Sequence, residues 1–189
     1  TAKPIAHRGL HNRTTSLIEN TLSAARAAIE KDFAIECDVQ LARDGEVFVF
    51  HDDTLDRLTN MNGDFKTFSA REISSFVLKD TSDRIPTFHE FLALLAGRVP
   101  LICEIKSRFD GSTDAVYRVG EIIKTYQGPI ALKSFDPQII AHLHKNRLPL
   151  GIRYLPLGVV AMADYGSEAD EAEGDIHLDD QARYRHVTA

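Results

Sequence analysis

Short apolar runs alternating with helix-forming segments are the feature that most restricts how this chain can fold. Ile5-Ala6-His7 reads as a strand and leads through a polar loop into "ENTLSAARAAIEKDF", where Leu22, Ala25 and Ile29 recur at helical spacing. "AIECDV" and "VFVFH" are strands on either side of Asp44-Gly45, a strong hairpin signal. Ser69 with Glu72 has capping-box spacing and predicts one short helix within the polar segment 54–84. Thr87 with Glu90 predicts a second helix, "FHEFLALLA", stopped by Gly97. "PLICEIK" follows as a strand, residues 113–126 as a helix broken by Gly128-Pro129, and "IALKSF" as a strand. Asp136 then caps a helix with Pro137 at its first position, and "PLGIRYL", residues 149–155, is the next strand. This order predicts an α/β fold, a parallel sheet with crossover helices that is either open or closed into a barrel. Residues 161–175 are acidic and small, and "GDIHLDD" is at best one short strand. Roughly six or seven strand candidates therefore stand against the eight of a closed barrel. No repeat or low-complexity linker divides residues 1–189, which read as one domain with an insertion at about 54–85 and an atypical tail at about 155–189.

Side chains alternate faces along a strand, so Glu36 and Asp38 share one side while Ile35, Cys37 and Val39 share the other. "LICEIK" repeats the design, with Glu104 and Lys106 opposite Cys103 and Ile105. Parallel folds build their sites at the C-terminal ends of such strands. Like charges this close repel unless a cation or a proton intervenes. Taken singly, each carboxylate reads as an exposed edge residue. Three at paired strand-end positions instead describe a hard, oxygen-rich site for one divalent cation, Mg²⁺ or Ca²⁺. Zinc suits the set less, because no His pair stands at ligand spacing. His7 and His51 each close an apolar strand, and the reading places them at the same end of neighbouring strands, suited to paired proton transfer near neutral pH. Arg8 and Lys106 add cations able to hold a phosphate-like anion. The histidines at 11, 89, 142, 144, 177 and 186 receive no role.

Composition narrows the surroundings. A hydrophobic content of 43% over 189 residues supports a real core. The net charge of −6 and the lack of a long Lys/Arg run argue against a nucleic-acid partner. No apolar run approaches the roughly 20 residues that span a bilayer, so no transmembrane segment is expected. Cys37 and Cys103 lie mid-strand on the apolar faces, as reduced thiols of a cytoplasmic protein would. The chain begins at Thr1, which is also compatible with a removed leader.

Several separated motifs in order then make a resemblance. "AHRG", "ENT", "ECDVQLARDGEVFVFHDDTLDRLTN", "PTFHEFL", "CEIK" and "KSFD" look like the glycerophosphodiester phosphodiesterase family, densely from Ile5 to Gly63, again over 85–106, and more thinly after Tyr154. The resemblance implies a (β/α)8 TIM-type barrel. It also implies metal-dependent hydrolysis of glycerophosphodiesters, small-molecule substrates of glycerol and lipid metabolism, to glycerol 3-phosphate and an alcohol. The family's catalytic histidines match His7 and His51, and its metal ligands match Glu36, Asp38 and Glu104. Its phosphate-contacting cations match Arg8 and Lys106. Glu19 matches a glutamate near the glycerol and metal, Phe135 an aromatic lining the pocket, and Thr54 to Ile85 the segment inserted beside the barrel mouth. Ile18 replaces the family's usual proline, and the family's closing strand, with its Trp-Thr-Val-Asn-like motif, has no counterpart in a chain without tryptophan. The expectation is a longer complete protein or, failing that, a homo-oligomer in which a second copy covers the open edge. Two alternatives stand beside this reading. One is a lysophospholipase D-like enzyme, which would need an apolar entrance; Phe65, Phe68, Phe76, Val77 and Leu78 of the insertion offer apolar content that a buried helix face explains equally well. The other is a non-enzymatic partial barrel kept for binding.

Overall fold

Parallel pairing organises the chain. The structure, a computed structural model, describes residues 4–147, 149–152 and 154–160. Its elements run β1 (Ile5–Ala6), α1 (Leu22–Glu30), β2 (Ala34–Leu41), β3 (Val47–Val49), α2 (Ala70–Ile73), α3 (Phe88–Leu95), β4 (Leu101–Ile105), α4 (Asp114–Ile123), β5 (Ile130–Ser134), α5 (Pro137–Lys145) and β6 (Leu157–Val159). Strands β1, β2, β4, β5 and β6 lie side by side in that order and all pair in parallel, while β3 pairs antiparallel with β2. Helices connect most of the parallel strands, the α/β arrangement that the alternation predicts. Among the described residues the sheet is open, with β1 and β6 at its edges. None of the described helices is long and apolar enough to cross a membrane.

Local chemistry starts and stops these elements. The Thr21 hydroxyl accepts from the Ala24 N–H to open α1, and both capping boxes, Ser69 with Glu72 and Thr87 with Glu90, are formed. Each side chain there satisfies an orphan donor of the first turn, worth about 1 kcal/mol. Helix α3 turns left-handed at Ala96 (φ 46°), one residue before the predicted stop at Gly97. Asp136 caps α5 ahead of Pro137 as expected.

The strand faces separate as alternation requires. Ile35, Cys37 and Val39 of β2 and Leu101, Cys103 and Ile105 of β4 form one buried cluster with Ala25 and Ala28 of α1, Phe88, Phe91 and Leu95 of α3, and Val116 and Val119 of α4. Each fully buried Leu, Ile or Phe contributes ~1.5–3 kcal/mol of transfer free energy. Cys37 and Cys103 are register partners, and both thiols are buried, as the apolar face predicts. A second cluster sits beside it. Phe48, Phe50, Leu55, Phe65, Ile73, Leu78 and Ile85 join the β3 arm to the inserted segment, with the Phe50 and Phe65 rings stacked 5.2 Å apart. The apolar residues of the insertion follow the buried-face reading: Phe65 and Leu78 are buried, Phe68 packs edge-on against Phe76, and of the five only Val77 is exposed.

One predicted strand is displaced. The described residues of 149–155 form no strand; β6 begins at Leu157. Gly151 adopts φ +69°, and the N–H groups of Leu150, Ile152 and Leu155 bond back to the carbonyls of Asn146, Arg147 and Ile152. Leu150 and Ile152 are buried from within these turns, so the apolar alternation serves core burial without sheet pairing. "GDIHLDD" and the rest of the tail from residue 161 lie outside the described residues.

Candidate active site

Register brings the charges together. Asp38 pairs with Glu104 and Glu104 with Lys133, so three neighbouring strands present a carboxylate, a carboxylate and an ammonium on one face. Glu36 stands two residues earlier on that face of β2. Glu36, Asp38 and Glu104 are all buried, and each offers an oxygen such that the three atoms lie within 4.8 Å of one another. Lys133 Nζ sits 3.0 Å from Glu36 Oε1 and 3.0 Å from Glu104 Oε2. Lys106 Nζ lies 3.2 Å from Glu104 Oε1 and 3.8 Å from Asp38 Oδ1. Burial and the neighbouring Asp38 charge push the Glu36 carboxyl up to about 7 despite Lys133. Burial also pushes Asp38 up, but His51, Lys106 and Arg8 outweigh it and hold that carboxyl below its ordinary value. Lys133 responds in the opposite sense: burial works against its charge, yet Glu36 and Glu104 hold its pKa above the usual lysine range. An all-oxygen, buried carboxylate trio fits a hard divalent cation.

The loop after β1 supplies the wall. Arg8 adopts φ +54° and Gly9 φ +81°, and a Cβ on Gly9 would meet Ala24 of α1 at 2.9 Å. Only glycine fits that approach of loop to helix. The turn aims the Arg8 N–H at Glu36 Oε2 (3.1 Å) and the guanidinium at Glu19 Oε1 (2.9 Å), with Nε 3.5 Å from Asp38 Oδ2. Asn20, also left-handed at φ 56°, donates from its amide to Asp38 Oδ2 at 2.9 Å and so orients that carboxylate.

The two histidines arrive by different routes, a correction to their expected placement on neighbouring strand ends. His7 follows the parallel strand β1, half-exposed, with Nε2 3.8 Å from Glu36 Oε2. Lost hydration on its buried side and the Arg8 charge hold its pKa below the ordinary value. His51 returns on the antiparallel arm, because the Asp44-Gly45 turn reverses the chain and β2 runs on to Leu41, past its pairing with β4. Phe50 donates to the Asp38 carbonyl at 3.0 Å, and Gln40 Nε2 donates to the carbonyls of Phe50 (3.1 Å) and Asp52 (2.8 Å). These bonds hold His51 beside the carboxylates. His51 Nδ1 lies 2.8 Å from Asp52 Oδ1. Asp52 is held ionised by His51 and Arg57 against the cost of burial, so it can only accept, and the Nδ1 proton belongs to the histidine.

Glu36, Asp38, Glu104, His7, Arg8 and Lys106 thus gather at one place. Glu19 does not join the carboxylate trio; it pairs with Arg8 and with Arg57 of the inserted segment. Phe135 stands beside the site, its ring 6.0 Å from Lys133 Nζ. Sequence reasoning missed Lys133, Asn20, Gln40, Asp52 and Arg57. Lys133 had a signal, since it occupies in "IALKSF" the alternating position that Glu104 occupies in "LICEIK". Asp52 had one too, since it follows His51 directly. Asn20, Gln40 and Arg57 act through partners farther along the chain and carry no local signature.

Comparison with known proteins gives these residues a setting. The profile of the glycerophosphoryl diester phosphodiesterase family matches residues 7–175. A glycerophosphodiester phosphodiesterase of Caldanaerobacter subterraneus subsp. tengcongensis is 40% identical over 162 residues, covering 79% of this chain and 65% of its own. The chain thus spans just under two thirds of that relative's length. Among solved structures, a phosphodiesterase of Oleispira antarctica in complex with the product sn-glycerol-3-phosphate superposes with TM-score 0.70 at 25% identity, over 78% of this chain and 62% of that one. A glycerophosphodiester phosphodiesterase of Thermotoga maritima gives 0.69 at 28% identity, over 88% and 66%. The fold is that of the TIM-barrel phosphodiesterases, with the barrel not closed among the described residues.

Proposed function

The chain belongs to the glycerophosphoryl diester phosphodiesterase family, and from that premise we propose that it hydrolyses a glycerophosphodiester to glycerol 3-phosphate and an alcohol. The observation that carries the proposal is the buried trio Glu36, Asp38 and Glu104, with ligand oxygens within 4.8 Å of one another and flanked by two histidines. These three carboxylates would hold one divalent cation, Mg²⁺ or Ca²⁺. Bound there, the cation supplies charge that polarises a phosphoryl oxygen and offsets the negative charge of the transition state. Arg8 and Lys106 would take the remaining phosphate oxygens, Phe135 would line the pocket, and Glu19 would stand near the glycerol.

Proton transfer falls to the histidines. With Nδ1–H committed to Asp52, His51 presents a basic Nε2 and would take the proton of the attacking glycerol 2-hydroxyl. His7 would give a proton to the leaving alcohol. It is neutral near pH 7 in the free protein, and the negative charge of a bound phosphodiester favours the protonated ring it needs. The resulting cyclic phosphate is opened by water, with the two roles exchanged. The product held by the Oleispira antarctica phosphodiesterase is in keeping with this substrate class.

The test is release of glycerol 3-phosphate from glycerophosphocholine, measured with and without a chelator. Turnover is expected to vanish on chelation and to return with added Mg²⁺ or Ca²⁺. Release of phosphocholine in place of glycerol 3-phosphate, or full turnover in chelator, would overturn the proposal.

A further inference from the structure

Arg57 belongs to the inserted segment, and its whole guanidinium is spent on two carboxylates that adjoin the groups described above. Nε donates to Asp52 Oδ2 at 2.6 Å and Nη2 to Asp52 Oδ1 at 2.8 Å. Nη2 also donates to Glu19 Oε1 at 2.7 Å, and Nη1 to Glu19 Oε2 at 3.0 Å. Each carboxylate is gripped by two bonds. Beyond them lie the working groups, because Asp52 accepts from His51 at 2.8 Å and Glu19 accepts from Arg8 at 2.9 Å. Three chain segments meet at this one side chain: the loop after β1, the arm after β3, and the insertion.

We propose that Arg57 is the positioning residue through which the inserted segment sets the reaction geometry. Through Asp52 it fixes the His51 ring in the Nδ1–H tautomer with Nε2 bare. Through Glu19 it holds Arg8 against the carboxylate trio. A planar fork with donors on two edges is needed for this, since the single ammonium of lysine cannot grip two carboxylates in two-point fashion. Without the fork Asp52 is free to rotate, and His51 loses the acceptor that distinguishes its two nitrogens. The role rests on the reading of His51 as a proton-transferring group, so the experiment needs a readout that does not depend on turnover.

That readout is the tautomer of His51, observed by long-range ¹H–¹⁵N correlation on protein labelled with ¹⁵N-histidine and assigned through His51→Gln. The wild type is expected to show a protonated Nδ1 and a bare Nε2. Arg57→Gln and Arg57→Lys should both shift the ring toward the opposite tautomer or a mixture. In the glycerophosphocholine assay both should lower kcat roughly 10–100-fold with KM much less affected, and lysine should not rescue. Should both Arg57 variants fail to fold, Asp52→Asn removes the carboxylate acceptor while keeping the side-chain shape, and the same loss of tautomer preference is expected. A wild-type His51 protonated on Nε2, an unchanged tautomer in the folded variants, or full rescue by lysine would overturn the assignment. A tautomer that follows Arg57 in a protein without turnover would support the link while overturning the proposed function.

Discussion

Glu36 takes its character from crowding. It shares a buried face with Asp38 and Glu104, and that environment lifts its pKa from 4.5 to about 7. A carboxyl raised in the folded state binds more protons there than in the unfolded chain, so the metal-free protein should lose stability as pH rises from 4.5 through 7. Added Mg²⁺ or Ca²⁺ should reverse that loss and bind more tightly at pH 8 than at pH 6. Urea unfolding at several pH values, with and without the cation, checks both signs. Glu36→Gln keeps an acceptor for Lys133 but removes the charge; it should abolish cation binding in calorimetry while leaving the fold intact. The histidines make a second prediction. Replacing His7 or His51 with alanine should lower turnover by roughly 10² or more, and the double variant should lose far less than the product of the two. The wild-type pH–rate profile should be bell-shaped and report the pair. Near-normal turnover in either single variant would remove that residue from the mechanism.

At the scale of elements, capping chemistry was legible and pairing was not. Ser69, Thr87 and Asp136 announce their helices because a cap is a contact between residues two or three apart. The strand at 149–155 misled, because alternating apolar residues also suit a series of turns over a core, and Gly151 tips the chain to the turn. The loop before α1 is joined to the inserted segment by Glu19, whose carboxyl is held at about 2 by Arg57 and Arg8 against the cost of burying it. Its folded pKa lies below the ordinary 4.5, so its contribution to stability is fully present above pH 4.5 and is lost as pH falls through about 2. The size is on the order of 3 kcal/mol. Glu19→Gln should therefore lower the unfolding free energy at pH 6 and flatten its dependence between pH 4.5 and 2, as denaturant titration would show.

The molecule as a whole carries two cores, one between the sheet and its helices and one that binds the β3 arm to the insertion. Phe65 is the hinge of the second, fully buried against Phe48 and Phe50. Phe65→Ala should cost ~3–5 kcal/mol through lost transfer energy and the cavity left behind. Because that core seats the arm bearing His51, turnover should fall further than cation affinity; equal losses of both would contradict this division. The α/β class, the hairpin, the helix starts and the carboxylate faces of β2 and β4 were determined by the sequence alone, since period-two alternation, caps and turns are local. Tertiary structure alone decided that Lys133 stands between Glu36 and Glu104, that His51 comes back from the opposite direction, and that Arg57 joins Asp52 to Glu19. Each of these depends on which strands pair and in what register, a choice made by burying many side chains at once that no short stretch of sequence encodes.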